Sequence, residues 1–180
     1  MKTSGYLWLA VLCALPASAK DRAWDEPFPG VVQDERNIRG FVGDFRWLSN
    51  FYSCRVEYEG LVYQSSEAAY QAAKFPSSTR QDFTTLDPDA AKKLAHSKPL
   101  DEVGWNARKD QVMRDVVWAK FSQNPNLAAR LLATQEKYLE ETNWWNDPYW
   151  GVYQEKGANM LGKILMEVRG RMATAKQRGR

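Results

Sequence analysis

The segment that decides the fold is RVEYEGLVYQSSEAAYQAAKF, residues 55–75. Its first half has a strand pattern, because Val56 and Tyr58 alternate with polar residues. Glu59-Gly60 is typical of a tight turn, and apolar residues return directly after it. The first half therefore predicts a small β-hairpin.

The second half of this segment predicts a helix. Ser65 or Ser66 is a good N-cap, and Pro76 ends the helix after about Phe75. One face is made only of alanines, which allows close packing: Ala68, Ala69, Ala72 and Ala73.

Polar residues occupy the opposite face of the same helix. Glu67, Gln71 and Lys74 follow one another at spacings of four and three residues. Glu67 stands in the first helical turn, where the helix dipole favours a carboxylate. We therefore expect Glu67 to have a lowered pKa, to be ionised at neutral pH and to act as a base or nucleophile.

The remaining chain predicts more helix than strand. Strand signals occur at 40–45, whereas residues 20–38 are polar, contain Pro27 and Pro29, and predict a flexible leader. Cap residues and apolar spacing predict helices over residues 87–96, 105–121, 124–132 and 159–172. The predicted fold is a single α+β domain over residues 39–172, mainly helical with a small antiparallel sheet.

The first 19 residues have the pattern of a signal peptide. Lys2 provides a positive charge, residues 6–15 form an uncharged apolar run, and Ala17-Ser18-Ala19 fits a cleavage site. The run is shorter than the roughly 20 residues that a membrane-spanning helix needs, so we expect no stable membrane anchor. The sequence predicts export, with cleavage after Ala19.

The scarcity of cysteine and histidine limits the chemistry. After cleavage the chain would keep one cysteine, Cys54, and one histidine, His96. His96 is expected to be solvated at the end of a helix. These residues favour neither a zinc centre nor a histidine-activated nucleophile, so we expect no metal and no cofactor. Carboxylates, amides and aromatic rings remain as candidates.

The positive charge of the chain is concentrated at its C-terminus. The whole sequence has 25 basic and 22 acidic residues, and the last twelve residues contain five basic and no acidic ones. The rest of the mature chain is therefore mildly acidic, and residues 173–180 are predicted to be a basic tail. Such a tail does not indicate a nucleic-acid-binding face.

Two further segments place polar groups beside aromatic residues. They are LSNFY at 48–52 and NWWNDPYWG at 143–151. An aspartate, Asp147, amid three tryptophans suggests a stacking pocket with one acid in it. Glycosidic cleavage needs a carboxylate to stabilise an oxocarbenium-like transition state or to activate water, and aromatic rings to hold the base or ribose.

Taken in order, these segments resemble the NADAR (YbiA-like) family. GDFRWLSNFY at 43–52 resembles its opening signature and SSEAAYQAAKF at 65–75 its central one. AKKL at 91–94, LLAT at 131–134, DPYWG at 147–151 and GANMLGK at 157–163 follow, so that the resemblance covers residues 39–171. One departure is Ala68, which stands where many members have histidine.

The resemblance implies an N-glycosidase that acts on a ribosyl–nitrogen bond. The substrates it implies are a phosphoribosylated riboflavin-pathway intermediate or ADP-ribose on guanine in nucleic acid. It implies Glu67 and Asp147 as catalytic residues. The residues expected to bind substrate are Asn50, Phe51, Lys74, Trp105, Trp150, Gly151 and Asn159. We expect Trp105 to stack on the substrate, and expect variants of Glu67, Asp147 and Trp105 to stay folded.

Two other classes of function are compatible with the same segments. One is a module that binds ADP-ribose or a nucleotide without cleaving it, and the other is an exported structural or interaction protein. The presence of both Glu67 and Asp147 favours the enzyme, because a non-catalytic relative is expected to lose one of them.

Overall fold

The computed structural model describes residues 27–178. The predicted signal peptide lies outside these residues. The strands are β1 Val32–Gln33, β2 Asn37–Arg39, β3 Ser53–Tyr58, β4 Leu61–Ser65, β5 Tyr138–Glu140, β6 Thr142–Asn143 and β7 Val152–Tyr153. The α-helices are α1 Ser66–Ala72, α2 Ser77–Arg80, α3 Pro88–His96, α4 Glu102–Gln123, α5 Pro125–Ala133 and α6 Met160–Arg178. The fold is α+β, as predicted.

The predicted hairpin is present as β3 and β4. Tyr58 pairs with Leu61 in antiparallel register, which leaves Glu59 and Gly60 as a two-residue turn. Both turn residues have positive φ, 48° for Glu59 and 79° for Gly60. This backbone matches the right-handed twist of the strands, so the turn fixes the register.

The sheets are more varied than the predicted antiparallel sheet. β1 and β2 pair antiparallel, but β2 pairs parallel with β5, and β6 pairs parallel with β7. Ile38 in β2 and Leu139 in β5 are fully buried at the centre of the three-stranded sheet. This sheet joins the N-terminal segment to a strand a hundred residues later in the chain.

The structure of the N-terminal segment differs from two predictions. Residues 27–38 were predicted to lie in a flexible leader, yet they contribute β1, most of β2 and the buried side chain of Phe28. The strand predicted at 40–45 is also wrong, because Gly43–Leu48 forms a 3₁₀ helix. Gly40 and Gly43 have φ of +81° and +52°, which breaks the extended backbone before that helix.

The predicted helix boundaries agree with the structure to within three residues except at the end of α6, which lies six residues beyond the predicted end, and α2 is an additional short helix. Asp87 caps α3 by accepting a hydrogen bond from the Ala90 amide at 2.8 Å, with Pro88 in the first turn. The predicted basic tail is helical as far as Arg178. Arg169 is buried and donates to the Thr134 hydroxyl at 2.8 Å, so it belongs to the core.

Helix α1 occupies the centre of the molecule. All seven of its residues are buried, including Glu67 and Gln71. The helix packs against the hairpin, α3 and α4, and α4 also packs against α5 and α6. The polar face predicted for α1 is therefore directed into the protein, where it meets a cleft. Within residues 27–178, no helix has the length and apolarity that crossing a bilayer requires.

Candidate active site

A cleft of about 940 Å³ lies between α1, α3, α4 and the loop that joins β6 to β7. Buried carboxyl groups, lysines and aromatic rings share its walls. The residues that line the cleft are Ser49, Asn50, Phe51, Glu67, Tyr70, Gln71, Lys74, Asp89, Lys92, Lys93, His96, Trp105, Asn106, Lys109, Met113, Glu141, Trp144, Trp145, Asp147, Tyr149, Trp150 and Leu161. The cleft therefore contains all the predicted site residues except Gly151 and Asn159.

The start of α1 fixes Glu67 in the cleft. The Ser65 hydroxyl accepts a hydrogen bond from the Ala68 amide at 3.0 Å, which caps the helix. The Glu67 amide donates to the Asn50 carbonyl at 3.1 Å, and the Ser66 hydroxyl donates to Oδ1 of Asn50 at 3.0 Å. Asn50 lines the cleft as predicted, but its two oxygens hold this helix end and its side-chain amide donates to Sδ of Met113 at 3.1 Å.

Burial overturns the expected pKa of Glu67. The side chain is 6% exposed, and the loss of hydration raises the pKa of its carboxyl above the ordinary value. The hydrogen bond from Gln71 and the charges of Lys92 and Lys74 oppose this shift without reversing it. The prediction of a lowered pKa was wrong because an exposed helix end was assumed. A raised pKa makes the Glu67 carboxylate a stronger base.

Gln71 is the direct partner of Glu67. Its side-chain amide donates to Oε1 of Glu67 at 2.6 Å, one helical turn away. The side-chain oxygen of Gln71, Oε1, is buried, and no group within residues 27–178 donates a hydrogen bond to it. Because Gln71 lines the cleft, this oxygen is available to a donor on a bound ligand.

Asp147 is held in the turn that carries the aromatic loop. Its Oδ1 accepts hydrogen bonds from the amides of Tyr149 at 3.1 Å and Trp150 at 2.9 Å. The Tyr149 hydroxyl in turn donates to Asp110 of α4 at 2.6 Å. One oxygen of Asp147 thus holds the backbone of the loop. The side chain is half-buried and lines the cleft.

Aromatic rings form one wall of the cleft. Tyr70 lies edge-on to Trp105, with ring centroids 5.0 Å apart, and to Trp150 at 5.6 Å. Trp105 is only 6% exposed, so it belongs to the core as well as to the wall. That a Trp105 variant stays folded remains a prediction, but removing this buried indole leaves a cavity and should lower its stability.

Cations are concentrated towards the mouth of the cleft. Lys93 and His96 at the end of α3 are exposed, and Lys74, Lys92 and Lys109 are half-buried. The position of His96 at the solvent-exposed end of a helix agrees with its sequence-based prediction. Of these four lysines and one histidine, only Lys74 was a predicted binding residue. The others were missed because an amphipathic pattern does not show which polar residues of α3 and α4 face a cleft.

Gly151 and Asn159 do not line the cleft, but both contact the backbone of Glu141. The Glu141 amide donates to Oδ1 of Asn159 at 3.1 Å. A Cβ atom on Gly151 would lie 2.1 Å from the Glu141 carbonyl oxygen, so only glycine fits there. Asn159 also donates to the Leu139 carbonyl at 2.9 Å and has a left-handed backbone, with φ of 50°.

Glu141 is a further carboxyl group in the cleft, besides Glu67, Asp147 and the exposed Asp89, and it was not among the predicted site residues. It is 7% exposed, and burial raises the pKa of its carboxyl to about 8. Its Oε2 atom is buried without a hydrogen-bond partner in the described part of the chain. The adjacent Glu140 accepts a hydrogen bond from Thr142 at 2.8 Å and lies outside the cleft. The sequence offers no signal that separates these two glutamates.

Residues 27–178 contain no group of three or more His, Cys, Asp or Glu side chains arranged to hold a metal ion. Ala68, at the position where many NADAR members have histidine, is fully buried in the alanine face of α1. The chemical groups that the described residues bring to the cleft are carboxyl, amide, ammonium, hydroxyl and indole groups, together with His96 at the mouth.

Comparisons with known proteins agree with this architecture. Residues 40–173 match the model of the NADAR domain. The chain is 39% identical over 153 residues to N-glycosidase YbiA of Escherichia coli, a match that covers 81% of this chain and 94% of that protein. The solution structure of E. coli YbiA superposes with a TM-score of 0.70 at 35% identity, covering 83% of this chain and 92% of that chain.

A second relative has a different name and a greater length. The chain is 38% identical over 127 residues to a riboflavin biosynthesis protein of Vibrio vulnificus, a match that covers 68% of this chain and 34% of that protein. The extent of the family match, the identity with E. coli YbiA and the shared fold lead to one conclusion. The chain belongs to the NADAR family.

Proposed function

We propose that the protein is an N-glycosidase that hydrolyses a ribosyl–nitrogen bond. The observation that carries this proposal is the buried Glu67 carboxyl, held by Gln71 at 2.6 Å in an aromatic-walled cleft. The names of the relatives support the class of reaction, since several are N-glycosidases. No cofactor is needed for this reaction, because water is the only co-substrate.

Glu67 is suited to act on the water or on the sugar cation. As the bond between C1′ and nitrogen breaks, positive charge develops on the ribosyl ring. The Glu67 carboxylate takes a proton from a water molecule, whose oxygen then bonds to C1′. Asp147, whose Oδ1 is committed to the turn, adds negative charge near the developing cation. The electron pair of the broken bond goes to the departing nitrogen, which must gain a proton.

The rest of the cleft offers aromatic surfaces for a base and lysine cations for a phosphate. Trp105 and Trp150 provide flat surfaces for a base or ribose. Lys92 and Lys93 from α3 provide cations for a phosphate. We therefore propose a phosphoribosylated aminopyrimidine of the riboflavin pathway as the first substrate class, consistent with the name of the Vibrio relative. ADP-ribose attached to guanine is the second class to test.

The experiment that tests this proposal measures free base released from each of the two substrates, in buffer containing EDTA. Release of base together with an equal amount of reducing sugar from either substrate supports the N-glycosidase. Saturable binding of ADP-ribose without any cleavage would instead support a non-catalytic binding module. Loss of activity in EDTA that a divalent metal restores would contradict the metal-free reaction.

A further inference from the structure

We propose that Glu141 is the proton donor that allows the base to leave, a role that rests on the N-glycosidase function proposed above. The hydrolysis needs two separate proton transfers, one from water and one to the departing nitrogen. Glu67 is assigned to the first. Among the carboxyl groups that line the cleft, Glu141 is the one whose surroundings suit the second.

The hydrogen bonds of the two buried carboxyl groups differ. Glu67 accepts a hydrogen bond from the Gln71 amide at 2.6 Å, and a donor of this kind stabilises the carboxylate. Oε2 of Glu141 receives no such bond from any described residue although it is buried. A carboxyl oxygen in that situation is best satisfied as O–H, which can donate to a ligand. The ionised member of the pair is thus Glu67, and the protonated member is Glu141.

The charged groups around Glu141 act on its ionisation in both directions. Arg46, in the 3₁₀ helix before β3, and Lys120, in α4, partly stabilise the Glu141 carboxylate. The negative charges of Glu67 and Asp147 destabilise it. The loss of hydration, together with the charges of these two acids, outweighs the two cations and raises the pKa of Glu141 to about 8. A pair of carboxyl groups with different environments is the arrangement that separates a general acid from a general base.

The backbone of Glu141 is held more firmly than a surface loop would require. The Val152 amide donates to its carbonyl at 2.9 Å, and Asn159 accepts from its amide at 3.1 Å. Gly151 packs against the same carbonyl, and a Cβ atom there would also approach Cγ of Glu141 to 3.1 Å. The two residues that the resemblance assigned to substrate binding therefore position Glu141.

The proposed step balances without any further reactant. The C1′–N bond breaks, and its electron pair takes the proton of the Glu141 carboxyl, so that the base leaves with a new N–H bond. The oxygen of water bonds to C1′ and its proton passes to Glu67. Solvent then carries a proton from Glu67 to Glu141, which restores both groups for the next turnover.

The test is the pH dependence of kcat and kcat/KM on a phosphoribosylated aminopyrimidine from about pH 5 to about pH 9. The wild-type rate should fall on the alkaline side near the pKa of Glu141, since the donor loses its proton there. Glu141→Gln should lower kcat by roughly 10²–10⁴, leave KM within a few-fold, and abolish the alkaline fall. Glu141→Asp keeps a proton donor and should retain that fall with a smaller loss of kcat.

Glu140→Gln is the matched control, because Glu140 is an adjacent buried glutamate that lies outside the cleft. It should change kcat by less than about three-fold. A folded Glu141→Gln enzyme that keeps wild-type kcat, or that keeps the alkaline fall, would overturn the proposal. A wild-type profile without an alkaline fall would overturn it even if both Glu141 variants failed to fold. Wild-type enzyme that cleaves no ribosyl–nitrogen bond would refute the proposed function itself, and the role of Glu141 with it.

Discussion

At the scale of the residue, burial and helix position act on Glu67 in opposite directions. The helix end favours the anion by a fraction of a kcal/mol to about 1 kcal/mol, whereas desolvation of a carboxylate costs several times as much. Burial prevails, and the pKa of Glu67 is raised. Burial raises the pKa of Glu141 for the same reason. The cleft thus contains two buried acids that make the folded state less stable at neutral pH.

The first prediction at this scale concerns stability against pH. The folded pKa of Glu141 is about 8 against an ordinary value of 4.5, so the folded protein retains a proton that the unfolded chain loses. Stability from this group is present below pH 4.5 and is lost as the pH rises to about 8. Glu141→Gln removes this dependence. Its melting temperature should therefore fall less between about pH 5 and about pH 8 than that of the wild-type protein.

Differential scanning calorimetry of the two proteins in parallel buffers measures this difference. Glu67 contributes a dependence of the same sign in both proteins, so it cancels in the comparison. Burial lowers the pKa of Lys120 to about 8 and Glu141 acts on it, so the comparison is clearest between about pH 5 and about pH 7. Parallel curves for wild-type and Glu141→Gln would show that Glu141 is not protonated in the fold.

A second prediction at this scale concerns Trp105, which lines the cleft and is also buried in the hydrophobic core. Trp105→Ala should destabilise the protein by about 3–5 kcal/mol, because a buried indole is replaced by a cavity. Trp105→Phe keeps an aromatic face and should cost clearly less. Urea unfolding gives the free energies, and KM measured on folded protein gives the effect on binding. Equal stability of Trp105→Ala and wild-type protein would place this side chain outside the core.

At the scale of the element, the connection from β7 to α6 determines where Glu141 lies. Asn159 precedes α6 and joins three groups, the Glu141 amide, the Leu139 carbonyl and the Tyr138 hydroxyl. Gly162 in the first turn of α6 permits this arrangement, since a Cβ atom there would lie 2.5 Å from Oδ1 of Asn159. The start of α6 is thus tied to β5 by side-chain hydrogen bonds.

The prediction at this scale separates those hydrogen bonds from backbone strain. Asn159→Gly keeps the left-handed backbone but removes the side chain, and should cost about 1–3 kcal/mol of stability with a lower kcat. Asn159→Ala adds the strain of a positive φ and should be less stable than the glycine variant. Chemical denaturation and kcat are the measurements. If Asn159→Gly retained both full stability and full kcat, the positioning role of Asn159 would be refuted.

The elements also show what the sequence could and could not predict. The hairpin and the helices were predicted because their signals are local, as with the Glu59-Gly60 turn and the Asp87 cap. The pairing of β2 with β5 could not be predicted, since it joins two distant segments of three residues each that have no periodicity of their own. Glu141 was missed for the same reason. Its burial depends on contacts with Gly151 and Asn159, which residue spacing does not reveal.

At the scale of the whole molecule, the N-terminal sequence gives a prediction that lies outside the described residues. Lys2, the apolar run at 6–15 and Ala17-Ser18-Ala19 predict export and cleavage after Ala19. The mature protein in its native host should therefore begin at Lys20, and N-terminal sequencing or intact mass determines this directly. Full-length protein that begins at Met1 and is recovered from the cytosol would contradict the prediction.

The most direct test of the central claim compares the wild-type protein with Glu67→Gln in a single-turnover assay on a phosphoribosylated aminopyrimidine. The substitution keeps the size of the side chain but removes its charge and its basicity. The wild-type protein should release free base and reducing sugar in equal amounts. Glu67→Gln should slow this step by roughly 10²–10³ or more while remaining folded.

Glu102→Gln is the control for that measurement, because Glu102 also lies in the first turn of a helix but is exposed and outside the cleft. It should have the wild-type rate. A folded Glu67→Gln protein that releases base at the wild-type rate would show that Glu67 is only a helix-end charge, and would contradict the proposed catalytic role.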